Sequence, residues 1–183
     1  MALKTLVKIG GITNLSDARY CAGMGVEMLG FNVISGHPNY IGPEFFQQIR
    51  GWVSGPLIVA EIAGLKDSQE LEVILENYHP DMLQMELSEL RNIPSPPLPY
   101  ILRLKRNEDI THLAIQPEYI LGENPALMSS IPFLIEVSST NEVTSALSNS
   151  LVKGIALNGG PELKPGLKDY STMGEILELL EVE

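Results

Sequence analysis

The chain has 183 residues, 44% of them hydrophobic, which is enough to bury one core and too few for two comfortable domains, so a single domain over residues 1–183 is expected. Its 23 acidic against 12 basic residues give a formal charge of −11, and no basic patch reverses that field, which excludes nucleic acid and anionic membrane surfaces as partners. The lone cysteine, Cys21, excludes an intrachain disulfide and a multi-cysteine metal cluster; His37, His79 and His112 lie too far apart for a helical ligand pair, so neither a metal nor a cofactor is expected.

Val7 to Ile9 predicts a first strand, and Lys8, Gly10 and Gly11 break the apolar run before it could act as the core of a signal segment. Asn14 or Ser16 then stands where an N-cap is needed, opening a first helix that carries Cys21 beside Ala18 and Ala22 on the face turned towards the strands. Met28 to Val33 is the second strand, and Pro43 starts a helix that runs through Phe46 and Ile49 towards Trp52. Leu57 to Ala60 is the third strand, Ser68 to Asn77 a helix with Leu71, Ile74 and Leu75 on one face, and Met82 to Met85 the fourth strand. The connection through Leu90 to Pro94-Ser95-Pro96-Pro97 leaves room for barely one helical turn. Strands follow at Tyr100 to Leu104, Tyr119 to Leu121, Pro132 to Val137 and Gly154 to Leu157, with helices at Asn141 to Asn149 and Ser171 to Leu180.

Eight near-continuous apolar strands alternating with helices point to an α/β protein with a parallel sheet covered on its faces, closed as a small single-domain (β/α)₈ TIM barrel. The length lies just below the roughly 200 residues usual for that barrel, which is met by shortened helices after strands 4 to 6. An open doubly wound sheet is the competing fold, and no Gly-x-Gly-x-x-Gly follows the first strand to support it. No stretch approaches the roughly 20 apolar residues of a membrane span, so a cytoplasmic protein is expected.

Several islands carry a family resemblance. Val7-Lys8-Ile9-Gly10-Gly11-Ile12-Thr13, followed by a polar helix start, resembles the Val-Lys-Ile-Cys-Gly-Ile-Thr opening of phosphoribosylanthranilate isomerases. Gly30-Phe31 with Tyr40-Ile41 and Pro43-Glu44 resembles the family's second strand and loop, and Leu83-Gln84-Met85 its fourth strand. Asn158-Gly159-Gly160-Pro161-Glu162 and Pro165-Gly166-Leu167-Lys168-Asp169 resemble its Ser-Ser-Gly-Val-Glu and Pro-Gly-x-Lys-Asp segments. The likeness runs from first strand to last and is thin between Arg91 and Pro132.

The resemblance implies a TIM barrel and an Amadori isomerisation within tryptophan biosynthesis, an aldose–ketose isomerisation that needs one acid and one base. The family's base is the cysteine of the first strand, where this chain has Gly10; its acid, an aspartate ending strand six, aligns with Gly122, with Glu123 the displaced substitute. The arginine of the loop after strand two falls at Asn39, and the histidine after the strand-four glutamine at Glu86.

A phosphate site in such a barrel is built from the loops after strands seven and eight, so Ser138, Ser139, Asn158, Gly159 and Gly160 are its expected residues, unless they are only an N-cap and a turn. Gln84, Glu86, Arg103 and Lys105 are expected to line the pocket, with Arg103 or Lys105 pairing the carboxylate of Glu136. Three functional readings follow. One is a catalytically impaired relative that binds a small phosphorylated metabolite or a protein partner, another copy of the chain included. The second is a different enzyme using Glu86, Glu123, Glu136 or Lys105, and the third the isomerase itself with relocated acid and base. Whether the protein is an enzyme stays open on these residues.

Overall fold

The structure, a computed structural model, describes residues 2–105, 108, 110, 113–125, 130–159, 162–164, 167–168 and 171–182, with backbone alone for 162–164 and 167–168. Eight parallel strands close into a barrel in chain order: β1 (Leu6–Gly10), β2 (Met28–Asn32), β3 (Leu57–Glu61), β4 (Met82–Met85), β5 (Tyr100–Arg103), β6 (Tyr119–Gly122), β7 (Phe133–Glu136) and β8 (Val152–Asn158). β8 returns to β1 with Leu6 opposite Gly154 and Gly10 opposite Asn158, which leaves no free sheet edge. The chain therefore folds as the expected (β/α)₈ barrel, and the open doubly wound alternative is excluded by this closure. A further antiparallel pair, β9 (Glu162–Lys164) and β10 (Leu167–Lys168), follows the barrel, and the sequence reading does not foresee it.

The helices sit where the caps place them. Asn14 accepts the Asp17 amide at 2.9 Å and opens α1 (Leu15–Gly23). Pro43 begins α2 (Pro43–Arg50), and Asp67 accepts the Glu70 amide to open α3 (Ser68–Tyr78), which His79 ends in the left-handed region at φ 44°. α4 (Leu87–Asn92) is longer than the single turn expected, because the buried Glu89 side chain accepts the backbone amides of Glu86 and Gly64 and so pins both its start and a neighbouring loop. α5 (Thr140–Leu147) and α6 (Ser171–Leu180) follow, and among the described residues no helix separates β5 from β6 or β6 from β7.

Apolar side chains are buried in two shells. Val7, Ile9, Leu29, Phe31, Leu83 and Leu102 turn outwards under the helices, where Phe46 stands edge-on to Phe31 at 5.1 Å. Met28, Val59, Met82, Ile101, Leu121, Leu134 and Ala156 fill the interior of the barrel as one layer. Burying side chains of this size contributes roughly 1.5–3 kcal/mol each before entropy is set against it. Among the described residues no helix is long and apolar enough to cross a membrane.

Candidate active site at the C-terminal mouth of the barrel

Strand alternation decides what lies above the apolar layer. Two residues beyond each interior apolar side chain the chain places the next inward position, and there it becomes polar. Val59 is followed by Glu61, Met82 by Gln84, Ile101 by Arg103, Leu134 by Glu136 and Ala156 by Asn158, while β1 contributes Lys8. These side chains, with Asn32, His37, Asn39 and Glu86, line a cavity of about 300 Å³ at the C-terminal ends of the strands. That is the end of the barrel where such folds carry their chemistry.

The centre of the cavity floor is the pair Lys8 and Glu61. Lys8 Nζ lies 2.6 Å from Glu61 Oε1, and the two side chains are 2% and 9% exposed. Glu61 Oε2 accepts the Gly11 amide at 3.2 Å and the Asn32 side-chain amide at 3.0 Å. Gly11 turns that amide inwards from φ +64°, a conformation that costs a side-chain-bearing residue energy. The missing side chain at Gly10 is what makes room: a Cβ there would lie 2.5 Å from Glu61 Oε1 and 3.1 Å from Lys8 Nζ. Gly30 on β2 borders the same space, since a Cβ there would also collide with the Glu61 carboxylate.

At the position aligned with the family's acid, Gly122, the strand turns away from the mouth. A Cβ at Gly122 would meet the Leu104 carbonyl at 3.3 Å and the Phe133 ring at 3.5 Å, so this position faces the outer layer rather than the mouth. Leu121 faces inwards, which makes Glu123 the next inward residue, and Glu123 lines an open cleft beside the cavity together with Glu136, Ser138, Asn141, Glu142 and Asn158.

The remaining expected pocket residues come together as pairs. Arg103 Nη2 meets Glu136 Oε1 at 2.9 Å, the pairing anticipated for Glu136. Lys105 Nζ meets Glu86 Oε2 at 2.6 Å, and this contact with the carboxylate holds the Lys105 ammonium above its ordinary range. Gln84 lines the cavity with its buried Oε1 lacking a hydrogen-bond donor. Asn39 stands at the rim, its backbone amide donating to His37 Nδ1 at 3.2 Å.

Of the phosphate donors expected after β7 and β8, those of Ser138 and the Gly159 amide are engaged elsewhere. The Ser138 amide and hydroxyl both donate to Glu142 Oε2, at 2.6 and 3.0 Å, and Ser139 is the N-cap of α5, its hydroxyl accepting the Glu142 amide. These donors, the Ser138 amide foremost, hold the Glu142 carboxyl below the ordinary glutamate range. The Gly159 amide donates to the Gly10 carbonyl at 2.8 Å, continuing the ladder between β8 and β1. The capping role set out for Ser138 and Ser139 is therefore the one the geometry displays; Gly160 lies outside the described residues. Cys21 is fully buried in α1, away from the mouth. His112 also lies outside the described residues, and among those described no group of three or more His, Cys, Asp or Glu side chains is placed to hold a metal ion.

The sequence reading missed Glu61 and Asn32. Their signal is positional: Glu61 ends an otherwise apolar strand in the inward register, in the same layer as two glycines.

A closed parallel barrel with a polar cavity at its strand C-termini defines the class, a (β/α)₈ protein whose candidate site lies at that end. Within that class the chain is similar, over almost its whole length, to phosphoribosylanthranilate isomerases. It is 24% identical to the N-(5'-phosphoribosyl)anthranilate isomerase of Gloeothece citriformis over 95% of this chain and 93% of that one. It is 21% identical to that of Sinorhizobium medicae over 97% and 98%. The crystal structure of phosphoribosyl anthranilate isomerase from Thermus thermophilus superposes with a TM-score of 0.74 at 18% identity, covering 94% of this chain and 96% of that one. No family model matches the chain.

Proposed function

We propose that this barrel has lost the isomerisation of phosphoribosylanthranilate and keeps the mouth as a binding site for a small polar molecule. The observation that carries the reading is the fate of the base. The position that holds the family's cysteine is Gly10, and the volume beside it is taken by a carboxylate that already accepts from Lys8, Gly11 and Asn32. Three of its roughly four lone-pair sites are thereby committed, which suits a fixed structural anion better than a group that must take up a proton in each turnover. The same reading is supported by Asn39, which stands where the resemblance places the family's arginine, and by the Ser138 and Gly159 amides, which already donate within the protein. Losing a proton-transfer group typically costs about 10²–10⁴-fold in rate, so losing two leaves little turnover.

The test is turnover of phosphoribosylanthranilate by the purified protein, with none above the uncatalysed rate expected. A second reading has one specific observation in its favour: Glu61 stands in the volume of the absent base and Glu123 faces the mouth from the end of β6, so an isomerase with relocated groups would use these two. If turnover is seen, Glu61→Gln and Glu123→Gln should each abolish it, and the first reading is then wrong.

A further inference from the structure

We infer that two copies of this chain pair through the helical flank built by α1, α2 and α3, with α2 packing on α2 about a twofold axis parallel to it. The inference is independent of what the mouth binds, because the mouth opens at the strand ends and this face lies on the side of the barrel.

Helical spacing fixes which side chains the face presents. On α2, Phe46 and Ile49 are buried against the barrel. Gln47 Nε2 donates to the Asn77 carbonyl at 2.8 Å and Arg50 reaches Asp81 at 3.9 Å, so positions 47 and 50 lie towards α3 and the turn after it. Phe45 and Trp52, about two turns apart, therefore stand on the outer side towards α1. They are 46% and 73% exposed. On α3, Leu71, Ile74 and Tyr78 are buried and Val73 points outwards at 56% exposure. An apolar side chain exposed singly is ordinary, whereas three large ones on adjoining helices mark a contact surface, and tryptophan is the residue type most enriched at the centre of such surfaces.

Charge selects the occupant. The chain carries −11, so two copies repel each other wherever acidic surfaces meet. α3 carries Glu70, Glu72 and Glu76 and α6 carries Glu175 and Glu178, neither with a basic residue. From Gly11 to Leu57, by contrast, Arg19 and Arg50 stand against Asp17, Glu27 and Glu44, and Asp17 is buried. α1 and α2 thus form a nearly neutral sector on which a second strongly acidic chain can settle.

The direction of the axis follows from Arg19. Tyr20 faces α6, its hydroxyl 3.1 Å from where a Gly174 Cβ would lie, so Arg19 stands on the other flank of α1, towards α2, and is exposed. A twofold axis parallel to α2 sets α1 of one copy across from α3 of the other, which brings Arg19 to Glu72 and Glu76 of the second copy. An axis perpendicular to the helices would set Arg19 against Arg19 and the α3 carboxylates against each other.

The experiment is sedimentation of the unmodified protein from about 1 to 100 μM, with the emission of Trp52 and its quenching by iodide followed over the same series. Trp52 is the one tryptophan of the chain, so the signal reports this face alone. The expected result is a monomer–dimer equilibrium in which the indole emission moves to shorter wavelength and iodide quenching falls as dimer forms, because Trp52 leaves water. Phe45→Glu and Arg19→Glu should each weaken association by about 10-fold or more, and adding Glu72→Lys and Glu76→Lys to the Arg19→Glu chain should restore it. These four positions are exposed, so the variants should keep the far-ultraviolet circular dichroism of the unmodified chain. A protein that stays monomeric at the highest concentration overturns the inference, whichever other partner covers the face. So does a dimer in which Trp52 remains as accessible as in the monomer, since that dimer uses another surface. Loss of association in Arg19→Glu without recovery in the charge-reversed chain overturns the twofold arrangement and the inference with it.

Discussion

The Glu61 carboxylate occupies the space that a side chain at Gly10 would need, with Oε1 2.5 Å from where that Cβ would be. Restoring the family's cysteine here therefore does not restore a base. A Gly10→Cys variant must push aside a carboxylate fixed by Lys8, Gly11 and Asn32, and overpacking of this kind costs about 1–3 kcal/mol. Urea melts should show that loss, and the variant should gain no turnover of phosphoribosylanthranilate. An unchanged melt would mean that Glu61 moves aside freely.

The Lys8–Glu61 pair should behave as a buried ion pair in a double-mutant cycle. Lys8→Met leaves a carboxylate in the cavity floor without its cation, and Glu61→Gln leaves an ammonium without its anion; breaking one side of such a pair costs about 3–5 kcal/mol. The double variant removes both charges and should be clearly more stable than the sum of the single losses implies. Strictly additive losses in chemical denaturation would show that the two charges do not depend on each other.

The barrel was legible because its signals are local. Strands such as Leu57–Glu61 and Met82–Met85 are apolar runs between turn residues, and caps such as Asn14 and Asp67 announce helices α1 and α3 directly. The mouth was legible only where strand alternation sufficed, as for Gln84 and for Arg103 with Glu136. At β6 the sequence offers Gly122 as the aligned position with Glu123 as its substitute, and the inward-facing Leu121 makes Glu123 the next inward residue. The sequence reading missed Glu61, because the contact that defines this residue joins β1 to β3 across 53 positions of sequence. No reading of one strand at a time contains that relation.

Glu142 gives a prediction in pH. Its carboxyl is held below the ordinary range, first by the Ser138 amide and then by the Ser138 hydroxyl. A depressed folded-state value means that ionisation of Glu142 adds stability above the unfolded-state value of about 4.3, and that this is lost as the pH falls through the lower folded-state value. Glu142→Gln should therefore melt below the unmodified protein at neutral pH, and the two melting curves should converge as the solution is acidified below that range. A gap that persists unchanged into acid would assign the effect to shape rather than to charge.

Cys21 tests where the chemistry of this barrel can reside. A thiol that replaces the absent base would have to reach the mouth, and reactive cysteines sit in partly exposed, electropositive surroundings. Cys21 instead lies fully buried in α1 with Ala18, against the barrel wall and away from the strand ends. Its labelling by a thiol reagent should be slow in the native protein and limited by opening of the structure, rising steeply once urea unfolds the chain. Carboxymethylation under denaturing conditions then supplies the control that one thiol per chain is present. Rapid labelling of the native protein would mean that α1 leaves the wall readily, and would return Cys21 to consideration as a group that can act at the mouth.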